Sequence, residues 1–155
     1  MTQSESLRWV KFFLWAGILA LAASGCKDDK DDNQYMLSGA GSGAQEVPAV
    51  TTPAAATLTG SYDKDANKLT YTISWTNLKD SVTLMHFHGP AMPGQSAPPL
   101  IDILPATKDK NGSTSGTAIL VDSVENHLLA GKLYYNIHTK VHGAGEVRGQ
   151  VSATR

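Results

Sequence analysis

A single cysteine, Cys26, stands in the whole chain. No disulfide can therefore close within the protein, and its fold has to rest on burial and hydrogen bonding. Basic charge is equally short. The sequence sets 13 Lys and Arg against 14 Asp and Glu, a net charge of −1. No basic run is present to meet a phosphate backbone, so nucleic acid is excluded as a partner. Apolar runs are confined to one place, "FFLWAGILALAA" at residues 12–23, which is shorter than a membrane-spanning helix requires. No serine or aspartate lies in a nucleophile elbow or another recognisable catalytic setting. The expectation is a protein that binds rather than one that catalyses.

What is present at the N-terminus has a plain reading. Arg8 and Lys11 precede the apolar run, and "LAASGC" closes it on Cys26. This order is that of a secretory signal, and its small-residue ending resembles the lipobox of bacterial lipoproteins. In such proteins the cysteine carries the lipid and becomes the first residue of the mature chain. Residues 1–25 are thus expected to be a lipoprotein signal peptide, with lipidated Cys26 as the link to a bilayer. The following "KDDKDDNQ" is too charged and too polar to bury itself. It reads as an acidic tether over residues 26–34, and a charged run in this place also resembles a surface-export signal. The expected location is the bacterial cell envelope, periplasmic or surface-exposed.

From Tyr35 to Arg155 the chain reads as one domain of short alternating segments. In "KLTYTISWT", residues 68–76, Leu69, Tyr71, Ile73 and Trp75 fall on one face, with Thr70, Thr72 and Ser74 on the other. Strict period two marks a strand with one buried face. "ATLTGSYD" at 56–63 behaves alike and reaches that strand through "DKDAN", a hairpin turn. Further strands are expected near "YMLSG" and at 81–88, 100–104, 116–121, 132–139 and 146–153. One short helix is expected at 123–131, capped by Ser123. Such a series predicts an all-β fold, an antiparallel Greek-key β-sandwich with one short helix.

Chemistry concentrates in the histidines. "VTLMHFHGPAMPG" places His86 and His88 two apart on a strand, where the pleat aims them the same way together with Val82 and Leu84. The Pro/Gly-rich "GPAMPGQSAPP" follows at 89–99 and can wall whatever they face. His138 ends another strand whose face also carries Tyr134 and Asn136, and His142 lies in the Gly-rich turn beyond it. Convergence of His86, His88, His138 and His142 would suit copper or zinc, both of which bind neutral imidazole. The same rings can instead join a structural polar network with Asn136, Glu146 and Arg148. A buried Arg148 could also hold an anionic ligand.

Five blocks, "LSGAGSGAQEVPAVTTPAAATLTGSYD", "LTYTISWTNL", "VTLMHFHGPA", "LLAGKLYYNIHT" and "GEVRGQV", occur in order from about Leu37 to Val151. Together they resemble the CHRD domain, the module named after chordin. The resemblance implies a sandwich like that of immunoglobulins or Cu/Zn superoxide dismutases, found in secreted proteins and lipoproteins, without a general enzymatic activity. It makes His86, His88, Asn136 and His138 signature positions. A binding module with an unidentified protein or glycan partner is the reading it favours. A copper- or zinc-binding redox protein of the dismutase type is the alternative, though the single cysteine cannot form the disulfide usual there.

Overall fold

The computed structural model describes residues 32–155. The expected signal peptide, Cys26 and most of the expected tether lie outside those residues. The strands are β1 (Gln34–Ser42), β2 (Ala55–Asp63), β3 (Lys68–Thr76), β4 (Val82–His88), β5 (Pro99–Asp102), β6 (Gly112–Ile119), β7 (Tyr134–Thr139), β8 (Val147–Gln150) and β9 (Ser152–Thr154). One helix, α1 (Asp122–Leu129), precedes β7. The all-β expectation holds, and the strand pairings among the described residues are antiparallel.

Strand order is β5-β4-β7-β8-β1-β2-β3-β6, with β9 pairing β1. The chain crosses between the β5-β4-β7-β8 half and the β1-β2-β3-β6 half at β3→β4, β5→β6 and β6→β7, in Greek-key fashion. Period two explains why the halves face each other. Leu69, Tyr71, Ile73 and Trp75 of β3 are all buried, as are Met85 and Phe87 of β4 and Tyr135 and Ile137 of β7. Tyr71 meets Phe87 edge-on across the core, centroids 5.1 Å apart, the geometry that aromatic quadrupoles favour. The two outermost strands are joined by the 103–111 connection, where the Thr114 hydroxyl donates to the Leu104 carbonyl at 2.7 Å.

Several local expectations shift. β1 begins at Gln34, the last residue of the expected tether, and the Lys64 N–H donates to the Asn33 carbonyl at 2.9 Å. β6 starts at Gly112, because its register opposite β3 runs from Trp75↔Gly112 to Lys68↔Ile119. The 146–153 segment divides into β8 and β9 around buried Val151. α1 begins at Asp122, so Ser123 is inside the helix rather than its cap, and Asp122 and Glu125 supply the acidic first turn. Val82 is buried with the core rather than sharing the histidine face, because a bulge between Val82 and Leu84 resets the alternation.

Tyr135 ties β7 to β1 across the intervening β8. Its hydroxyl donates to the Gly39 carbonyl of β1 at 3.1 Å. A Cβ on Gly149 would stand 2.5–2.7 Å from the Tyr135 ring and hydroxyl, and one on Gly41 would stand 2.6 Å from that hydroxyl. Glycine is required here by space. Gly149→Ala is expected to cost about 1–3 kcal/mol by overpacking. Gly143→Ala, whose Cβ would have nothing within 4 Å, should leave the thermal midpoint within a degree or so of wild type.

Candidate metal centre

The β4–β7 register pairs His86 with Asn136, His88 with Tyr134 and Leu84 with His138. Met85, Phe87, Tyr135 and Ile137 take the core face, so His86, His88, Tyr134, Asn136 and His138 share the opposite one. That face is also covered. The Ala91 N–H donates to the Lys132 carbonyl, and Ala97 lies against His88 and Tyr134, so the 89–99 segment roofs the strands. β7 is consequently buried over its whole length. The histidines point outward from the hydrophobic core into a polar layer beneath this roof.

Three of the four expected ligands come together. One nitrogen from each of His86, His88 and His138 lies within 4.8 Å of the other two. Nitrogens bound to one ion at about 2.0–2.1 Å stand roughly 3.3–3.6 Å apart. His86 Nδ1 and His138 Nε2, 3.2 Å apart, already stand at about that separation, and a pair at the 4.8 Å limit would have to close by about 1 Å. His142 remains outside this group, in a turn closed by the His142 N–H and the Thr139 carbonyl at 3.2 Å, and its Nε2 is buried without a hydrogen-bond partner.

Backbone carbonyls decide which ring nitrogens are available. His138 Nδ1 lies 3.0 Å from the Gly143 carbonyl and His88 Nδ1 lies 2.9 Å from the Ala97 carbonyl. A carbonyl only accepts, so each Nδ1 carries the proton and each Nε2 presents a lone pair. Burial holds both rings below the usual histidine range, outweighing the carbonyl hydrogen bonds that favour the charged form, and neighbouring imidazoles push the same way as burial. Both rings are therefore kept neutral. His88 Nε2 then lies 3.0 Å from the Asn136 Oδ1, two acceptors in contact. A cation at Nε2 removes that repulsion, and so does rotation of the amide to present Nδ2. His86 completes the pattern, with Nε2 3.7 Å from the exposed Asp102 carboxylate. The ring of Tyr134 stacks on His88 at 4.8 Å and 7°.

The other expected polar residues do not form one network. Glu146 is fully buried, yet its carboxylate accepts from the Thr52 hydroxyl at 2.7 Å, the Thr139 hydroxyl at 2.7 Å and the Lys79 N–H at 2.9 Å. Burial raises its pKa, and these three bonds more than offset that, holding it below the usual carboxylate value. Arg148 instead lies over Tyr134, 3.5 Å from the ring centroid, and donates to the Gln95 carbonyl at 2.7 Å. Asn136 serves His88. Sequence reading overlooked Asp102 and Glu46, because strand register and the fold of the 46–52 segment place them; Tyr134 was legible by its spacing from Asn136.

The family model that matches the chain is that of the CHRD domain, over residues 37–151. Neither the curated proteins nor the solved structures give a match.

Because the Glu146 pKa is lowered on folding from 4.5, its stabilisation is present above that value and is lost as pH falls below it. Glu146→Gln should lower stability near neutrality by about 1.5–3 kcal/mol for each bond to the charged group that is lost. The variant should also lose less stability than wild type on further acidification, as read by denaturant titration at stepped pH.

Proposed function

The chain belongs to the CHRD-domain family, and on that premise we propose that it is an envelope-anchored, non-catalytic binding module whose His86, His88 and His138 hold one copper or zinc ion. The observation that carries the metal reading is the pair of Nδ1–carbonyl contacts at His88 and His138. They leave two neutral Nε2 lone pairs directed into the cluster, the arrangement by which outer partners orient metal-binding imidazoles. The ion would pin β4 to β7 and give the module a Lewis-acidic point of attachment.

His86 is the least buried of the three rings. Its flank opens into a groove of about 360 Å³ lined in part by Leu84, His86, Asp102, Leu104 and Lys108. A partner's donor group would reach the ion from that side. Among the described residues, one group of three or more His, Cys, Asp or Glu side chains converges. This supports a single-ion site over a copper–zinc redox pair, which needs a second donor cluster. The lipid link rests on Cys26 and the "LAASGC" ending.

Metal-free protein titrated with Zn²⁺ or Cu²⁺ should bind one equivalent. At a free metal concentration 100 times Kd, stability should rise by about 2.7 kcal/mol. His88→Ala and His138→Ala should abolish this, and His127→Ala on α1 should not. Binding well below one equivalent, or full binding by both alanine variants, would rule the site out. In the producing cell, Cys26→Ser should abolish incorporation of labelled fatty acid and release the protein from the membrane fraction. Unchanged labelling would remove the anchor.

A further inference from the structure

A second cavity lies on the Arg148 side of the roof, about 210 Å³ in volume, with Gln45, Glu46, Pro93, Gly94, Arg148 and Gln150 in its wall. Arg148 is 2% exposed and Glu46 is 8% exposed. No ion pair joins them, and none involves Arg148 among the described residues. The guanidinium has five N–H donors. One donates to Gln95 at 2.7 Å, and Nη2 reaches the Met92 carbonyl and the Gln150 Oε1 only at 3.4 Å. Its Nε–H is unspent and Nη2 beside it makes only those two long contacts, so this edge of the guanidinium is the one open to a ligand. Tyr134 under the guanidinium holds it flat.

Glu46 is the complementary anomaly. Its Oε1 is buried and has no hydrogen-bond partner. The two groups act on each other electrostatically without a direct contact, and a buried cation and a buried carboxyl oxygen that both lack a direct partner are costly. Both residues line the cavity, and Oε1 itself packs against the Gly145 backbone.

We propose that this cavity binds a small carboxylate, paired with the Arg148 guanidinium and accepting a hydrogen bond from the Glu46 carboxyl and from the Gln45 amide. The planar fork of the guanidinium matches a carboxylate bidentately. The site uses none of the three clustered histidines and does not depend on a metal.

The Glu46 carboxyl gives this binding a pH sign. Burial pushes its pKa up to about 7, with Arg148 opposing. The groups facing it are Arg148 from β8, the neutral side chain of Asn136 from β7 and the Gly145 turn. Below that value Glu46 is a neutral donor to the ligand; above it the carboxylate repels the ligand and takes its place against Arg148.

The detergent-purified full chain, stripped of metal, is titrated with sodium acetate and separately with sodium phosphate, following the Arg148 Nε–H resonance. Acetate should give a saturable shift, with affinity about tenfold lower near pH 8 than near pH 6, the ratio of protonated Glu46 at the two values. Glu46→Gln should keep acetate binding and lose its pH dependence. Arg148→Lys should weaken binding at least about tenfold; if it fails to fold, Glu46→Gln decides. No saturable acetate shift near pH 6, or wild-type pH dependence in Glu46→Gln, overturns the site. Phosphate binding with acetate silent overturns its assignment to carboxylates.

Discussion

The register of β4 against β7 is the constraint on which everything else rests. Side chains alternate along both strands, so a slip by one residue would exchange the two faces. Met85 and Phe87 would leave the core, and His86 and His88 would enter it. The core packing of Met85, Phe87, Tyr135 and Ile137 opposes that exchange, and the same packing therefore fixes where the imidazoles point. The precision of the histidine cluster is inherited from the hydrophobic face behind it. The bulge between Val82 and Leu84 marks the limit of that control: beyond it Val82 rejoins the core and the polar face ends.

The polar side chains of the interior, some under the 89–99 roof and some beyond it, differ in how well they are satisfied. Glu146 has three donors and is held ionised. His88 and His138 each have a carbonyl that selects one tautomer. Glu46, Arg148 and the Nε2 of His142 are served less well. Folding rarely leaves buried polar groups without partners, so the unequal service separates structural positions from ones prepared for something else. Glu146 belongs to the first kind, locking the 52, 79 and 139 segments together.

Much of this was legible in the chain itself. Leu69-Tyr71-Ile73-Trp75 announced a half-buried strand, and β3 has that pattern residue for residue. The spacing of His86 and His88, and of Tyr134, Asn136 and His138, was enough to place each set on one face. Which face was not readable, because β4 and β7 carry apolar residues on one side and covered polar ones on the other, and alternation alone does not say which side is core. Asp102 and Glu46 were invisible for a different reason. Each reaches its neighbours through pairings between segments far apart in sequence, Asp102 by its register with His86 and Glu46 by the turn at Gly145. His142 was included because it is near His138 in sequence, but the Thr139–His142 turn carries it away from the cluster.

The terminal strands of the ladder bear on how copies of the molecule behave beside one another. β5 is only four residues long and begins with Pro99, which has no N–H to offer. The 103–111 connection bridges it to β6, with Ile103 donating to Met85 and Thr114 donating to Leu104. An open sheet invites a neighbouring chain to extend it into a fibre. At the β5 edge the recruiting hydrogen-bond row is short and interrupted by Pro99, so crowded copies find little of a seam there along which to zip.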